Sequence, residues 1–113
     1  MKQASLLADL KYGDERPAIS VLFESQTSKE IRILFKAGQI MKEHQTTYPI
    51  TVELFDGTLD FGVDGAIHHL HKGDILTLEA NVPHDLKALS DCIVRLTLAK
   101  GDLVQRVVGV AKS

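Results

Sequence analysis

The sequence predicts an all-β fold, a sandwich or a barrel, and three observations carry that expectation. Runs of four to eight residues alternate apolar and polar side chains, the period of a half-buried strand. Gly, Asp or Pro breaks the pattern every eight to twelve residues. Hairpin turns need such residues because they supply a positive or a fixed φ at little cost. Finally, two stretches echo each other faintly: GQIMKEHQTTYPITVELFDG, from Gly38, and GDILTLEANVPHDLKA, from Gly73, each lead from a glycine to one histidine in a strand-like run.

Residues 1–16 read as a lead-in with little regular structure, in which Leu6, Leu7 and Leu10 can pack, ending in the turn-rich YGDERP. From Pro17, AISVLFES sets Ile19, Val21 and Phe23 against Ser20 and Glu24; EIRILFK then places Ile31, Ile33 and Phe35 on one face. Further strands are predicted in QIMKEHQ, ITVELF, TLDFGV, AIHHLH, DILTLE, HDLKAL and CIVRLTLA. In the tail, VQRVV is predicted as a short C-terminal helix, with a closing strand as the alternative.

The whole chain of 113 residues, 1–113, has the size of one domain, with its core over about 30–99. Hydrophobic residues make up 44% and charged residues 25%, which suits an ordinary packed core. A formal charge of −2 offers no footprint for a phosphate backbone, so nucleic acid is not an expected partner. No apolar run reaches the ~20 residues of a membrane helix, and the N-terminus carries too many charges for a signal peptide. The expected location is cytoplasmic. Cys92 is the single cysteine, which precludes an internal disulfide and suits a small buried hydrophobe.

Gly38, His44, Thr46, Ile50 and Gly57 fall on the fixed positions of G-x5-H-x-H-x3,4-E-x6-G, and Gly73, Glu79, Asn81, His84 and Ala88 on those of G-x5-P-x-G-x2-H-x3-N. With both motifs in order, the chain resembles a small single-domain cupin of the RmlC-like kind with a degenerate metal-binding motif. The resemblance implies a double-stranded β-helix, or jelly-roll barrel, commonly a homodimer, with a pocket between its sheets. It also implies that typical members hold a divalent metal with two histidines and a glutamate from the first motif and a histidine from the second.

Two of those four ligands are replaced here. Threonine at 46 is a poor ligand for Zn, Ni, Mn or Fe, and isoleucine at 50 is none. Glu53 lies three residues from Ile50 and should face outward. The expected pocket is lined by His44, Thr46, Ile50, Val52, His84 and Leu86, with His44 and His84 holding a metal weakly if at all, and no cofactor expected. His44 and Thr46, two apart, are expected to share one face of a strand, as are His44 and Lys42. In AIHHLHKG, His69 and His71 share one face and read as a polar exterior beside a turn, able to take up metal adventitiously; His68 shares the other face with Leu70. No phosphate loop, G-x-S-x-G, C-x-x-C or H-E-x-x-H is present.

The preferred functional reading is a binding module for a small organic or sugar-like ligand. The alternatives are an enzyme, either a metal-dependent oxygenase or isomerase or a metal-free one with a histidine base, and a sensor acting through a separate partner. Leu22 and Leu34 oppose the apolar faces of their strands, so the sheet containing residues 17–25 is expected to face a second copy in a homodimer.

Overall fold

A computed structural model describes residues 1–100 of the chain. The helix expected in VQRVV lies outside the described residues. Nine strands form among those described: β1 (Ala18–Glu24), β2 (Ser28–Phe35), β3 (Ile40–His44), β4 (Ile50–Asp56), β5 (Thr58–Val63), β6 (Ala66–His71), β7 (Ile75–Leu78), β8 (His84–Ala88) and β9 (Cys92–Ala99). Each coincides with an alternating run of the sequence, and no helix is present among the described residues.

The strands make two antiparallel sheets, β1-β2-β9-β4-β7 and β3-β8-β5-β6. Alternation decides what each sheet buries. In β4, Ile50, Val52 and Leu54 are buried while Thr51 and Glu53 between them are half-exposed. Phe35, Leu59, Phe61, Cys92 and Val94 join those three and Leu86 in one core cluster between the sheets. Burying such side chains stabilises the fold by roughly 1.5–3 kcal/mol each.

Departures from strict alternation shape the ends. A register shift between Met41 and His44 opposes an extra residue of β3 to β8, and others fall at Val21/Phe23 and Leu54/Asp56. Between β4 and β5, Gly57 has φ +101°, and an added Cβ would collide with the Asp91 carbonyl and the Cys92 sulfur, so both conformation and space require glycine.

The outer face of the five-stranded sheet corrects one expectation. Leu34 does not await a second copy: it is only 2% exposed within this chain. Arg32, two residues away on the same face, donates from Nη1 to the carbonyls of Leu6 and Ala8 (3.2 and 2.6 Å) and from Nη2 to that of Asp9 (3.2 Å). Gln39 Nε2 donates to Gly13 O at 2.8 Å, and Lys36 pairs with Asp14 at 3.3 Å. The strandless lead-in is thus fastened to the body of the fold. Burial first, then the charges of Asp91 and Asp56, raise the pKa of Tyr12 in that segment. Further along the same face, Arg95 Nε donates to Glu53 Oε1 (2.7 Å) and its Nη1 to Glu30 Oε1 (3.0 Å), while the Thr97 hydroxyl also donates to Glu30 (2.7 Å). Glu53 faces outward, as its spacing from Ile50 requires.

Candidate functional site

His44 and His84 are cross-strand partners on β3 and β8. Their ring centroids lie 4.4 Å apart with the planes tilted by 58°. His84 is 2% exposed, and its ring stacks on Phe61 of β5 at 5.6 Å and 7°. His44 is exposed, so the pair runs from the surface into the barrel wall.

The same local device orients both rings. His44 Nδ1 lies 2.8 Å from the carbonyl of Lys42, and His84 Nδ1 lies 2.8 Å from that of Val82. A carbonyl only accepts, so each Nδ1 must carry the proton, and each neutral imidazole keeps its lone pair on Nε2.

The bulge in β3 changes the neighbourhood read from alternation. Because one residue is extra, Met41 and His44 share the inward side: Met41 packs on the core and aligns with Leu86, His44 with His84. Lys42 is exposed and meets His44 through its carbonyl rather than its ammonium. Thr46 lies beyond the end of β3, so it does not share a strand face with His44. Its hydroxyl donates to Tyr48 O at 2.9 Å and its carbonyl accepts from Asn81 N at 2.7 Å, tying the β3–β4 connection to the β7–β8 connection. Ile50, Val52 and Leu86 are buried in the core cluster.

Phe61 escaped the sequence reading, although its position on the apolar side of TLDFGV beside Leu59 was a usable signal. His68 is the cross-strand partner of Phe61 and is exposed. Cys92 is fully buried, its sulfur 3.1 and 3.2 Å from the carbonyls of Thr58 and Ser90, to which the thiol can donate. Burial pushes its pKa up, against the opposing effect of its hydrogen bonds.

Barrel interiors of this architecture, by the resemblance set out above, hold a metal with three histidines and a glutamate. The residues here do not fit that centre. The Thr46 hydroxyl is committed to a backbone carbonyl, Ile50 is core, and among the described residues no three His, Cys, Asp or Glu side chains gather to hold an ion.

No protein-family profile matches the chain, and no curated protein does. Solved structures do. An RmlC-like cupin protein from Desulfovibrio desulfuricans is 28% identical, with 88% of this chain and 96% of that chain covered and a TM-score of 0.81. A protein with a double-stranded β-helix domain from Klebsiella pneumoniae is 18% identical, with 88% and 89% covered and a TM-score of 0.77. A mutant of salicylate 1,2-dioxygenase from Pseudoaminobacter salicylatoxidans is 17% identical over 73% of this chain and 23% of that chain, with a TM-score of 0.64. The chain folds as a small RmlC-like domain of the cupin superfamily. No helix among the described residues is long and apolar enough to cross a membrane.

Proposed function

We propose that the protein is a binding module that takes a small organic or sugar-like molecule at the His44–His84 end of its barrel, with little or no metal held there. The observation that carries this reading is the pair of Nε2 lone pairs, fixed by backbone carbonyls at both Nδ1 atoms on rings 4.4 Å apart. Two acceptors of fixed orientation favour a ligand that brings O–H or N–H donors, as a polyol does. Phe61, stacked on His84, and the buried residues Ile50, Val52 and Leu86 pack behind the pair and support the His84 ring from the core side. The same lone pairs support a second reading as an enzyme, because an imidazole with a fixed Nδ1–H can take a proton from a bound molecule at Nε2.

Native mass spectrometry of untagged protein, followed by long-range ¹H–¹⁵N spectra of the imidazoles during titration with small polyols, tests the binding reading. A retained organic molecule, or Nε2 shifts at both His44 and His84 on titration, supports it. Stoichiometric metal released by His84→Ala and unaffected by polyols would overturn it.

The protein's proposed partner is a second copy. Among the described residues, Ile19 and Val21 are 59% and 52% exposed on β1, which is the terminal strand of its sheet. Unprotected apolar edges of this kind invite pairing. The burial of Leu34 moves the argument for a homodimer from the outer face of the sheet to this strand.

A further inference from the structure

The outside of the four-stranded sheet carries a second histidine pair that the pocket does not use. His69 and His71 stand two apart on β6, the terminal strand of that sheet, so they share its outer face. Both side chains are largely exposed. On the neighbouring strand, Asp60 is the cross-strand partner of His69, and its Oδ1 lies 2.5 Å from His69 Nδ1. Asp74, in the turn after β6, caps the backbone N–H of His71 at 2.8 Å and holds Oδ2 3.9 Å from that ring's Nδ1.

A carboxylate on Nδ1 does for a histidine what metal sites require of the groups behind their ligands. It fixes the tautomer, leaves the lone pair on Nε2 and makes that nitrogen a better donor. His69 has this arrangement in full, and His71 has a carboxylate within ion-pair range. Lys87, the cross-strand partner of Asp60 on β8, forms no ion pair with it among the described residues, so Asp60 remains committed to His69.

Charge separates this pair from the one in the barrel wall. His84 is buried against Phe61, and among the described residues no carboxylate bonds to either ring of its pair, so an ion there meets no nearby negative charge to offset the hydration lost on the buried side. Around His69 and His71, two aspartates contribute negative charge and the ion keeps water on its open positions. Imidazole nitrogen suits borderline divalent ions such as Zn²⁺, Cu²⁺ and Ni²⁺.

We propose that His69 and His71, backed by Asp60 and Asp74, form a chelating site for a borderline divalent metal ion on the outer face of β6, distinct from the His44–His84 pair in the barrel wall. Two protein nitrogens and solvent water complete the coordination, so the site is an exchangeable one.

The test is a calorimetric titration of the untagged full-length protein with Zn²⁺ alone. The expected result is one saturable site per chain, abolished by His69→Ala and by His71→Ala and retained in His44→Ala, an exposed position whose change breaks the inner pair. Asp60→Asn should weaken binding by about 10–100-fold and shift the ¹⁵N signature of His69 away from the Nε2 lone-pair tautomer, with the thermal midpoint unchanged. Absence of saturable Zn²⁺ binding would overturn the proposal. So would binding that survives His69→Ala and disappears with His44→Ala.

Discussion

Replacing Arg32 by methionine isolates the clasp that holds the N-terminal lead-in. The guanidinium donates to three carbonyls, at 3.2, 2.6 and 3.2 Å, from a side chain that is 7% exposed. Hydrogen bonds to a charged group are worth about 1.5–3 kcal/mol each, but two terms reduce their sum. The freed carbonyls of an otherwise exposed segment regain water, and the native arginine carries a desolvation cost, visible in its buried Nε, which has no partner among the described residues. A net loss of roughly 2 kcal/mol follows, which for a chain of this size lowers the thermal midpoint by roughly 10 °C. Limited trypsinolysis gives an independent readout, because release of the lead-in frees the Lys11–Tyr12 bond for cleavage before the barrel opens. Arg32→Lys should recover only part of the loss, since one ammonium does not reproduce the fork. A midpoint within about 1 °C of wild type, together with unchanged cleavage at Lys11, would refute the reasoning.

Other outcomes follow from the same geometry. Gly57→Ala should destabilise by several kcal/mol, on the order of 2–4, measured by urea denaturation, because φ is positive and the new methyl meets Asp91 and Cys92. Cys92 has a raised pKa in the fold; the unfolded thiol ionises first, so stability should fall as pH rises above about 8.5, and Cys92→Ala should remove that part of the slope. Thr46→His combined with Ile50→Glu should raise the affinity for Zn²⁺ or Ni²⁺ at the barrel end, read by calorimetry, by more than the about 10–100-fold associated with groups behind the ligands, although the buried glutamate will lower stability. Light scattering should report a dimer for the native protein and a monomer for Val21→Lys; a native monomer at tens of micromolar would refute the edge-strand argument.

The strands were legible because each has one wet and one dry face, and a period of two writes that difference directly into residues such as Ile50, Thr51, Val52 and Glu53. The turns were legible because Gly57 and Gly73 occupy conformations that other residues resist. The register between strands was not. Nothing in IMKEH marks the bulge that aligns Met41 and His44 on one side and leaves Lys42 exposed, because a bulge residue needs no special side chain. Nor is there a sequence signal for Arg32 fastening Leu6, Ala8 and Asp9: its acceptors are backbone carbonyls, which every residue has. That omission misdirected the argument about Leu34. Asp60 and His69 could be paired only once β5 and β6 were aligned. For His44 and His84, the two motifs indicated proximity, while the tautomer depended on carbonyls that only coordinates reveal.

The Arg95 bridge between Glu30 and Glu53 spans β2, β9 and β4, and its consequence lies in the structures it forbids. The side-chain period of a strand is two, so a one-residue slip of β9 would turn Arg95 into the barrel and bring Leu96 or Val94 out to water. Both glutamates would then face each other across the gap without a cation between them. A two-residue slip keeps the same face inward, and the apolar residues alone discriminate weakly against it, since Val94, Leu96 and Leu98 resemble one another in size and shape. A single guanidinium held from both sides makes the wrong alignments costly. Because β8 and β9 are joined only through the residues Leu89–Asp91, the alignment of β9 also sets where β8 begins, and with it where His84 stands relative to His44.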